Sequence, residues 1–415
     1  MANITPKVTI YLNGSTVDVS AYVQQLNTRR GRSRVMAHTQ AGSASLVLRN
    51  EDRRFDPEYS SGTYYGGIEL GAAVKIYGTV SSTDYQIFDG YVSQWNVKYD
   101  GPNTSTVQVQ VIDGLPKLSM ISLESLTDAS GDKPPTFAQQ ASGARVAEIL
   151  DCYDASGAGS GTRVWPSGAS YRTIATGQST LQAKETKSNV WAELQKVANS
   201  ELATGMFISR EGKFVFKDRH TDIASPTTTF SDDGSDIAYT SVEMRRDMEL
   251  LFNLVSLARL DAGGSLGGVP ETSSDATSQA TYGIREYAQT ELLNLTNSAG
   301  TSEVQGMAEF INLMYNQPTN RFDNLKVSPN SLSAANQIKI LEMEIADGIN
   351  IERTPRVNGS ASAQITGSAV VDSITHRVET GSRWTSTFQL SPYAEVMGDF
   401  LIVDTGKIDS GKVGF

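Results

Sequence analysis

The chain has 415 residues, 39% of them hydrophobic and 20% charged, with 35 basic against 46 acidic side chains and a net charge of −11. That length holds roughly two to four domains of ~100 to 200 residues each, and the apolar content excludes disorder as the general state. The acidity weighs against nucleic-acid binding, because such a chain repels phosphates overall.

The opening MANITPKVTI carries one lysine and then β-like alternation, so no secretory signal is expected. No apolar run approaches the ~18 residues of a membrane helix, so no membrane-spanning segment is expected and the chain reads as soluble. Val8, Ile10 and Leu12 alternate, Asn13-Gly14 supplies a tight primed turn, and Val17 and Val19 resume the alternation, which predicts a hairpin. TRRGRSR, residues 28 to 34, then crowds Arg29, Arg30, Arg32 and Arg34 without interleaved aromatics. It reads as a solvated or subunit-facing loop, with a phosphate site as the alternative.

SLVLR, AAVKIYGTV, YQIFDGYVSQWNVKY and TVQVQVID read as strands, with Val107, Val109 and Val111 on one face and Gln108 and Gln110 on the other. Residues 1–118 are thus expected to form an all-β, barrel-like domain. Within it LVLRNEDRRFDPEY turns from an apolar run into a knot of charges. The acids Glu51, Asp52 and Asp56 beside Arg53 and Arg54 would suit either a catalytic loop or a rigid corner. Pro57 fixes its own φ and pushes Asp56 toward an extended conformation, while Phe55 offers an apolar anchor. The segment Arg53, Arg54, Phe55, Asp56, Pro57 is read as a stiff corner folded over the barrel edge or a subunit contact.

A Ser-, Asp- and Pro-rich linker, 119–142, leads to a change of period. Val146, Ile149, Leu150 and Tyr153, and then Val190, Trp191, Leu194 and Val197, fall at helical spacing, and MFISREGKFVFKDR reads as a hairpin about Glu211-Gly212. Residues 119–235 are therefore expected to include a small α+β domain, with ASGAGSG a surface loop rather than a nucleotide cradle, since it follows a helix. In 236–393, LLFNLVSLARL is β-like and DAGGSLGGVPETSSDATSQA reads as a flexible loop. A helix spans 302–316, with Ser302 and Gln305 as its capping box. NQIKILEMEIADGINIER, SAVVDSITHRV and WTSTFQL return to strands, and 394–415 is a tail expected to dock as a strand on its own or a neighbouring chain.

The third region echoes the first. RFD recurs as Arg321, Phe322 and Asp323, followed by a short Gly-led strand, a longer strand with a mid-strand Asp, a turn at Thr380-Gly381 and a closing alternating strand. This order predicts two copies of one β module, although antiparallel β domains share a general likeness. The predicted fold is mainly β (α+β): two related tube-like β-barrel domains with an intervening small α+β domain.

Signals for chemistry are weak. His38, His220 and His376 show no paired-ligand spacing, and no nucleophile elbow or phosphate loop is present. The single cysteine, Cys152, cannot form an intrachain disulfide and reads as a packed thiol, compatible with a reducing cytoplasm. No catalytic residue, cofactor or metal is expected, although a carboxylate pair formed only in three dimensions is invisible at this level. Trp95 and Trp384, in late strands of the two β regions, fit core packing better than sugar stacking.

The run AGSASLVLRNEDRRFDPEYSSGTYYGGIELGAAVKIYG, with FDGYVSQW, VQVQVIDGLPKL, FNLVSLARLDAGG, TYGIREYAQTEL, YNQPTNRFDNLKV, LEMEIADGINIERTP and WTSTFQLSPY, resembles the tail hub proteins, or minor tail proteins, of long-tailed bacteriophages. The resemblance follows the order of the chain and is weakest over 119–235. It implies a structural, non-enzymatic homotrimer at the distal end of the virion tail, assembled in the host cytoplasm. The implied partners are the tail tube or distal tail protein, tail fibre or spike proteins, the tape-measure protein, and DNA passing through the channel without specific binding. The channel is expected to be acidic or neutral. A carbohydrate-binding receptor protein of the tail tip and a tail-associated cell-wall hydrolase are the alternatives.

Overall fold

The computed structural model describes residues 3–34, 37–101, 104–155, 161–185, 188–201, 205–218, 226–246, 248–261, 264–295, 303–358, 360–379 and 383–392. The chain is mainly β. The first seven strands are β1 (Thr5–Leu12), β2 (Ser15–Asp18), β3 (Val23–Gly31), β4 (Gln40–Arg49), β5 (Ala73–Val80), β6 (Thr83–Gly101) and β7 (Thr104–Ile112). Period-two alternation builds them: Val8, Ile10 and Leu12, Ala44, Leu46 and Leu48, and Val107, Val109 and Val111 all face inward and are buried. Asn13 (φ +49°) and Gly14 (φ +76°) both take left-handed conformations between β1 and β2, the primed turn that matches strand twist.

The segment after β7 holds α1 (Leu115–Ser119), α2 (Ser142–Asp151), β8 (Arg172–Ile174), α3 (Val190–Glu201), β9 (Gly205–Ile208) and β10 (Phe214–Lys217). Val146, Ile149 and Leu150 of α2 meet Val190, Leu194 and Val197 of α3 in one core, with Phe214 and Phe216 from the small sheet β8-β10-β9.

Seven more strands then join the large sheet: β11 (Thr228–Ser231), β12 (Ile237–Ala238), β13 (Ser241–Arg245), β17 (Arg321–Val327), β18 (Gly348–Arg353), β19 (Ile365–Glu379) and β20 (Arg383–Pro392). Between β13 and β17 lies a separate three-stranded sheet of β14 (Leu254–Arg259), β15 (Glu271–Ser274) and β16 (Glu286–Leu292), with α4 (Ala276–Tyr282) and α5 (Glu303–Tyr315). Its core sets Val304, Met307, Ala308 and Ile311 of α5 against Val255, Leu257 and Leu292. Between β17 and β18 stands α6 (Ala334–Glu342).

The two sets of large-sheet strands have one topology. The first runs β3-β4-β7-β6-β5-β1-β2 and the second β13-β17-β20-β19-β18-β11-β12. Matching the sets in chain order, β1 to β7 against β11, β12, β13, β17, β18, β19 and β20, turns one order into the other. The five strands from β3 to β5, and from β13 to β18, are antiparallel throughout. The outer pair differs: β1 joins β5 antiparallel, whereas β11 joins β18 parallel.

Neither set closes into the barrel suggested by the sequence. Among the described residues β2 does not pair with β3, nor β12 with β13. The free edge of β3 pairs instead with the second half of β19, Leu26 to Gly31 opposite Val378 to Ser373, fusing both sets into one sheet of 14 strands. The first set still encloses a single core, from Val8 and Ile10 at one edge to Leu26 at the other. Nearly every member of that core comes from these strands and their loops, so the sheet curls around it.

Some stretches fold differently from their sequence reading. Asn336–Glu342 was expected to be strand but belongs to α6: Ser333 caps the helix by accepting from the Asn336 N–H, and Gln337, Ile340 and Leu341 are its buried stripe. The alternation in IKIL resembles a strand over too short a window to separate the two periods. Within the expected flexible loop, Glu271–Ser274 pairs with β14, and Asp275 caps α4 by accepting from the Ser278 N–H at 2.9 Å. The Ser302 half of the expected capping box, His220, the Thr380-Gly381 turn, most of ASGAGSG and the 394–415 tail lie outside the described residues.

Candidate functional site

The charged corner after β4 is a chain of linked turns. The carbonyls of Asn50, Arg53, Asp56, Tyr59 and Gly62 accept in succession from the N–H groups of Arg53, Asp56, Tyr59, Gly62 and Tyr65. Pro57 occupies the second position of the Asp56–Tyr59 turn, where its fixed φ fits. Phe55 is fully buried, with ring centroids 5.3 Å from Tyr22, 5.5 Å from Tyr64 and 6.3 Å from Trp95. Its N–H donates to Asn50 Oδ1 at 2.8 Å and its carbonyl accepts from Trp95 Nε1 at 2.9 Å.

Burial alone would raise the Asp56 pKa, but hydrogen bonds from the Tyr99 hydroxyl, the Arg53 guanidinium and the Glu58 N–H outweigh it and hold the carboxyl below its ordinary range. Arg53 lies 4.3 Å from the Tyr59 ring centre, and Arg54 4.3 Å from that of Tyr22 while also bonding Asp52. Asp52, Arg53, Arg54 and Asp56 each have a partner within the corner or its own strand set, and the segment covers the core of its own strands.

The repeated tripeptide does not mark an equivalent corner. Arg321, Phe322 and Asp323 open β17, the counterpart of β4. Leu325 pairs with Phe388 as Leu46 pairs with Val109, which aligns Phe322 with Ser43 rather than Phe55. Phe322 instead belongs to the second core, and Asp323 lies 3.8 Å from Arg245.

The arginines of TRRGRSR form the centre of the seam between the two strand sets rather than a loop. On β3 they alternate: Arg29 is exposed, whereas Arg30 is buried and Arg32 follows, also buried, just past the strand end. Arg30 Nη1 donates to Glu344 Oε1 at 2.5 Å, and the other Glu344 oxygen accepts from the Arg210 N–H at 2.9 Å. Arg32 Nε donates to Asp372 Oδ1 at 2.8 Å, and its backbone N–H donates to the Asp372 carbonyl at 3.0 Å. Ser391 Oγ donates to the second Asp372 oxygen. Arg34 pairs with Glu249 near the surface. Arg30 and Arg32 are buried, and their guanidinium groups are engaged by the half-buried Glu344 and the buried Asp372 rather than presented to a surface phosphate.

Local geometry explains why the seam closes here. The β19–β20 register shifts between Val371 and Ser373, a bulge that turns Asp372 toward Arg32. Gly31 lets the strands meet: its φ is +106°, and a Cβ would lie 2.1 Å from the Asp372 carbonyl oxygen. Apolar contacts cross the junction too, since Val378 and Trp384 of the second set are buried in the core of the first. Beneath them His376 Nδ1 lies 2.9 Å from Ser386 Oγ, and burial, with Arg30 nearby, pushes its pKa down to about 3. Asp113 is pushed up to about 7 by burial despite bonds from the Leu115 and Gly42 N–H groups and the Arg30 charge.

The seam shows the two sets to be alike at single-residue resolution. The β6–β7 register shifts between Val92 and Gln94, so Ser93 is the bulge that matches Asp372. In the turns before β5 and β18, Gly71 N–H donates to Val92 O at 2.8 Å and Ala346 N–H to Val371 O at 2.8 Å. The return bonds run from Val92 N–H to Ala72 O and from Val371 N–H to Asp347 O. Gly71 and Ala346 both have positive φ, +83° and +70°. Glu69 therefore stands where Glu344 stands. The mid-strand aspartates read as an echo in the sequence are not counterparts, since Asp89 pairs with Lys75 where Ser368 pairs with Asn350.

For other chemistry, no group of three or more His, Cys, Asp or Glu side chains is arranged to hold a metal ion among the described residues. Burial pushes the Cys152 thiol up to about 12. Trp384 is buried and Trp95 uses its indole N–H on the Phe55 carbonyl, so both serve packing. No described helix is long and apolar enough to cross a membrane.

No protein-family model and no curated protein sequence matches the chain. Solved structures do. The chain is similar to the 43 kDa tail protein of prophage MuSo2 from Shewanella oneidensis, at 13% identity and a TM-score of 0.55, covering 94% of this chain and 100% of that one. It is also similar to a tail protein from Neisseria meningitidis MC58, at 11% identity and a TM-score of 0.59, covering 95% of this chain and 99% of that one. At these identities the likeness is one of fold, and it extends over almost the whole of each chain.

Proposed function

We propose that this chain is a structural, non-enzymatic component of a bacteriophage tail. In this reading three copies form a hub ring at the distal end of the tail, between a sixfold tube and a threefold tip. The observation that carries the reading is the seam: two strand sets of one topology lie side by side in a single chain, joined edge to edge by main-chain hydrogen bonds. Three such chains supply six quasi-equivalent units, which match a sixfold tube on one face and offer threefold symmetry on the other. The fold shared with a prophage tail protein and with a second tail protein supports the tail assignment.

The role is geometric. The ring surrounds a channel through which DNA passes without specific binding, and the tape-measure protein meets its upper end. An acidic chain suits that passage, because positive walls would retain phosphates. The seam supports this further: Arg30 and Arg32 are buried against carboxylates and so are not channel-lining cations. Tube or distal tail proteins dock on one face and fibre or spike proteins on the other. The virion tail is its final location, after assembly in the host cytoplasm.

Mass measurement of the full chain in solution tests the reading. A particle of three chains supports it, and a monomer at every accessible concentration, with or without tube protein, overturns it. Glycan binding by the isolated chain, or release of fragments from peptidoglycan, would instead favour a receptor-binding protein or a hydrolase.

A further inference from the structure

Each strand set has the two edges that the internal seam uses, but one of each remains without a strand partner. The seam takes the outer edge of β3 and the second half of β19. Their counterparts are β13, which pairs only with β17 among the described residues, and the second half of β6, which pairs there only with β7. These edges cannot meet within one chain, because the seam already fixes the two sets side by side in the opposite order.

We infer that β13 of one copy pairs antiparallel with the Gln94–Tyr99 half of β6 in a second copy, at the register of the internal seam. This rests on the ring reading above and names the surfaces that build the ring. Counterpart positions follow from the pairings already described. Val378 faces Leu26 and Arg377 faces Asn27 within the chain. Tyr99 and Lys98 stand in the places of Val378 and Arg377, because Gln94 and Ser373 each follow the bulge. Val242 and Glu243 stand in the places of Leu26 and Asn27, because Leu325 matches Leu46. The docked copies therefore set Lys98 opposite Glu243, and Tyr99 opposite Val242.

Two further observations favour a second copy as the occupant. First, charge is complementary at the ion-pair position. Arg30 bonds Glu344 across the internal seam, and the matching residues on the unpaired edges are Arg245 and Glu69. Arg245 lies against Glu249 and Asp323 within its own chain, so docking adds Glu69 to an arginine already placed at the strand end. Second, Leu70 is 68% exposed, whereas its counterpart Ile345 is 4% exposed and packs with Phe207 and Val215 beside the seam. Phe207 and Val215 belong to β9 and β10 rather than to the opposing strand set, so what Leu70 contributes is an exposed apolar side chain beside the free β6 edge. Each chain carries one edge of each kind, so the contact is head-to-tail and closes a ring when the rotation per unit allows.

Cysteine pairing tests the register directly. Directly opposed antiparallel residues lie ~4.5 to 5.5 Å apart at Cα, within disulfide range. The full chain with Lys98→Cys and Glu243→Cys is oxidised and run without reductant, leaving the buried Cys152 in place. The internal pair Asn27→Cys with Arg377→Cys is the control. The expected result is covalent dimers and trimers, with none larger, while the control closes within single chains. A three-chain mass with a closing control and no interchain bond overturns the β13–β6 pairing and leaves the ring reading intact. A single-chain mass with intact fold overturns both. Charge reversal gives a second route: Lys98→Glu is expected to remove the three-chain species, and adding Glu243→Lys to restore it. Normal assembly of both single variants, or a double variant that fails to recover where Lys98→Glu fails, also contradicts the pairing.

Discussion

Arg32 and Asp372 meet across the seam at 2.8 Å with their side chains only 9% and 1% exposed, and each belongs to a different strand set. Removing one partner of such a pair leaves the other charge buried and uncompensated. Asp372→Ala is expected to destabilise the chain by ~3 to 5 kcal/mol. Replacing both residues, Arg32→Met with Asp372→Leu, should cost much less than the single change, because no unpaired charge remains. Urea midpoints of the three variants check the ordering, and a negligible effect of Asp372→Ala would remove the ion pair from the account.

Gly31 makes that approach possible. Gly31→Ala places a Cβ 2.1 Å from the Asp372 carbonyl oxygen at φ +106°, so the two strands must separate. The expected cost is ~3 kcal/mol or more, from the strained backbone and the disrupted pairing together. Gly66→Ala is the matched control: its φ is +73° with nothing within 4 Å of the new Cβ. It should cost only about 1 to 2 kcal/mol. Equal thermal shifts in the two variants would show that close approach at the seam is unimportant.

In the corner, apolar burial outweighs charge. Phe55→Ala removes a fully buried ring from among Tyr22, Tyr64 and Trp95, with an expected loss of ~3 to 5 kcal/mol. Arg54→Ala removes a partly exposed pair with Asp52, and such pairs contribute ~0 to 1 kcal/mol. Melting temperatures should rank Phe55→Ala far below Arg54→Ala, and the reverse order would reject the corner as a core cover.

Two buried groups at the seam give opposite pH dependences. The His376 pKa falls to about 3 in the fold, so the unfolded chain binds the extra proton below about 6.5 and stability is lost as pH falls from there toward 3. The Asp113 pKa rises to about 7, so the folded chain holds the extra proton and stability is lost as pH rises from about 4 toward 7. Each slope approaches ~1.4 kcal/mol per pH unit within its window. Relative to wild type, His376→Gln should therefore gain as pH falls from 6 to 4, and Asp113→Asn should gain as pH rises from 4 to 7. Parallel profiles for all three proteins would show that neither group is buried as described.

The mainly-β fold, the hairpin at Asn13-Gly14 and the helices α2, α3 and α5 were legible because each has a clear period or an obligatory turn. The match of β5, β6 and β7 with β18, β19 and β20 along the chain was legible too, although RFD was a false guide and Asp89 matches Ser368 rather than Asp372. The seam was not legible. Its key pairs join residues 314 and 340 positions apart, and local sequence carries no trace of such a partnership. Four arginines in seven residues resemble a solvated patch unless the strand alternation that sends Arg30 inward is recognised. Two hints were available: Gly31 in mid-run, as expected where another backbone comes close, and Glu69-Leu70-Gly71, whose turn recurs as Glu344-Ile345-Ala346 with only the acid retained. The barrel expectation failed because closure depends on where an edge strand finds its partner, and β3 finds it in the other strand set.

The central claim is that two like strand sets in one chain let three copies imitate sixfold order. Averaged electron images of the purified full-length particle test it most directly. The account predicts a ring with six similar lobes that obeys threefold symmetry, with neighbouring lobes joined alternately within and between chains. A particle with no ring, or a ring whose number of lobes is not twice its number of chains, would contradict it.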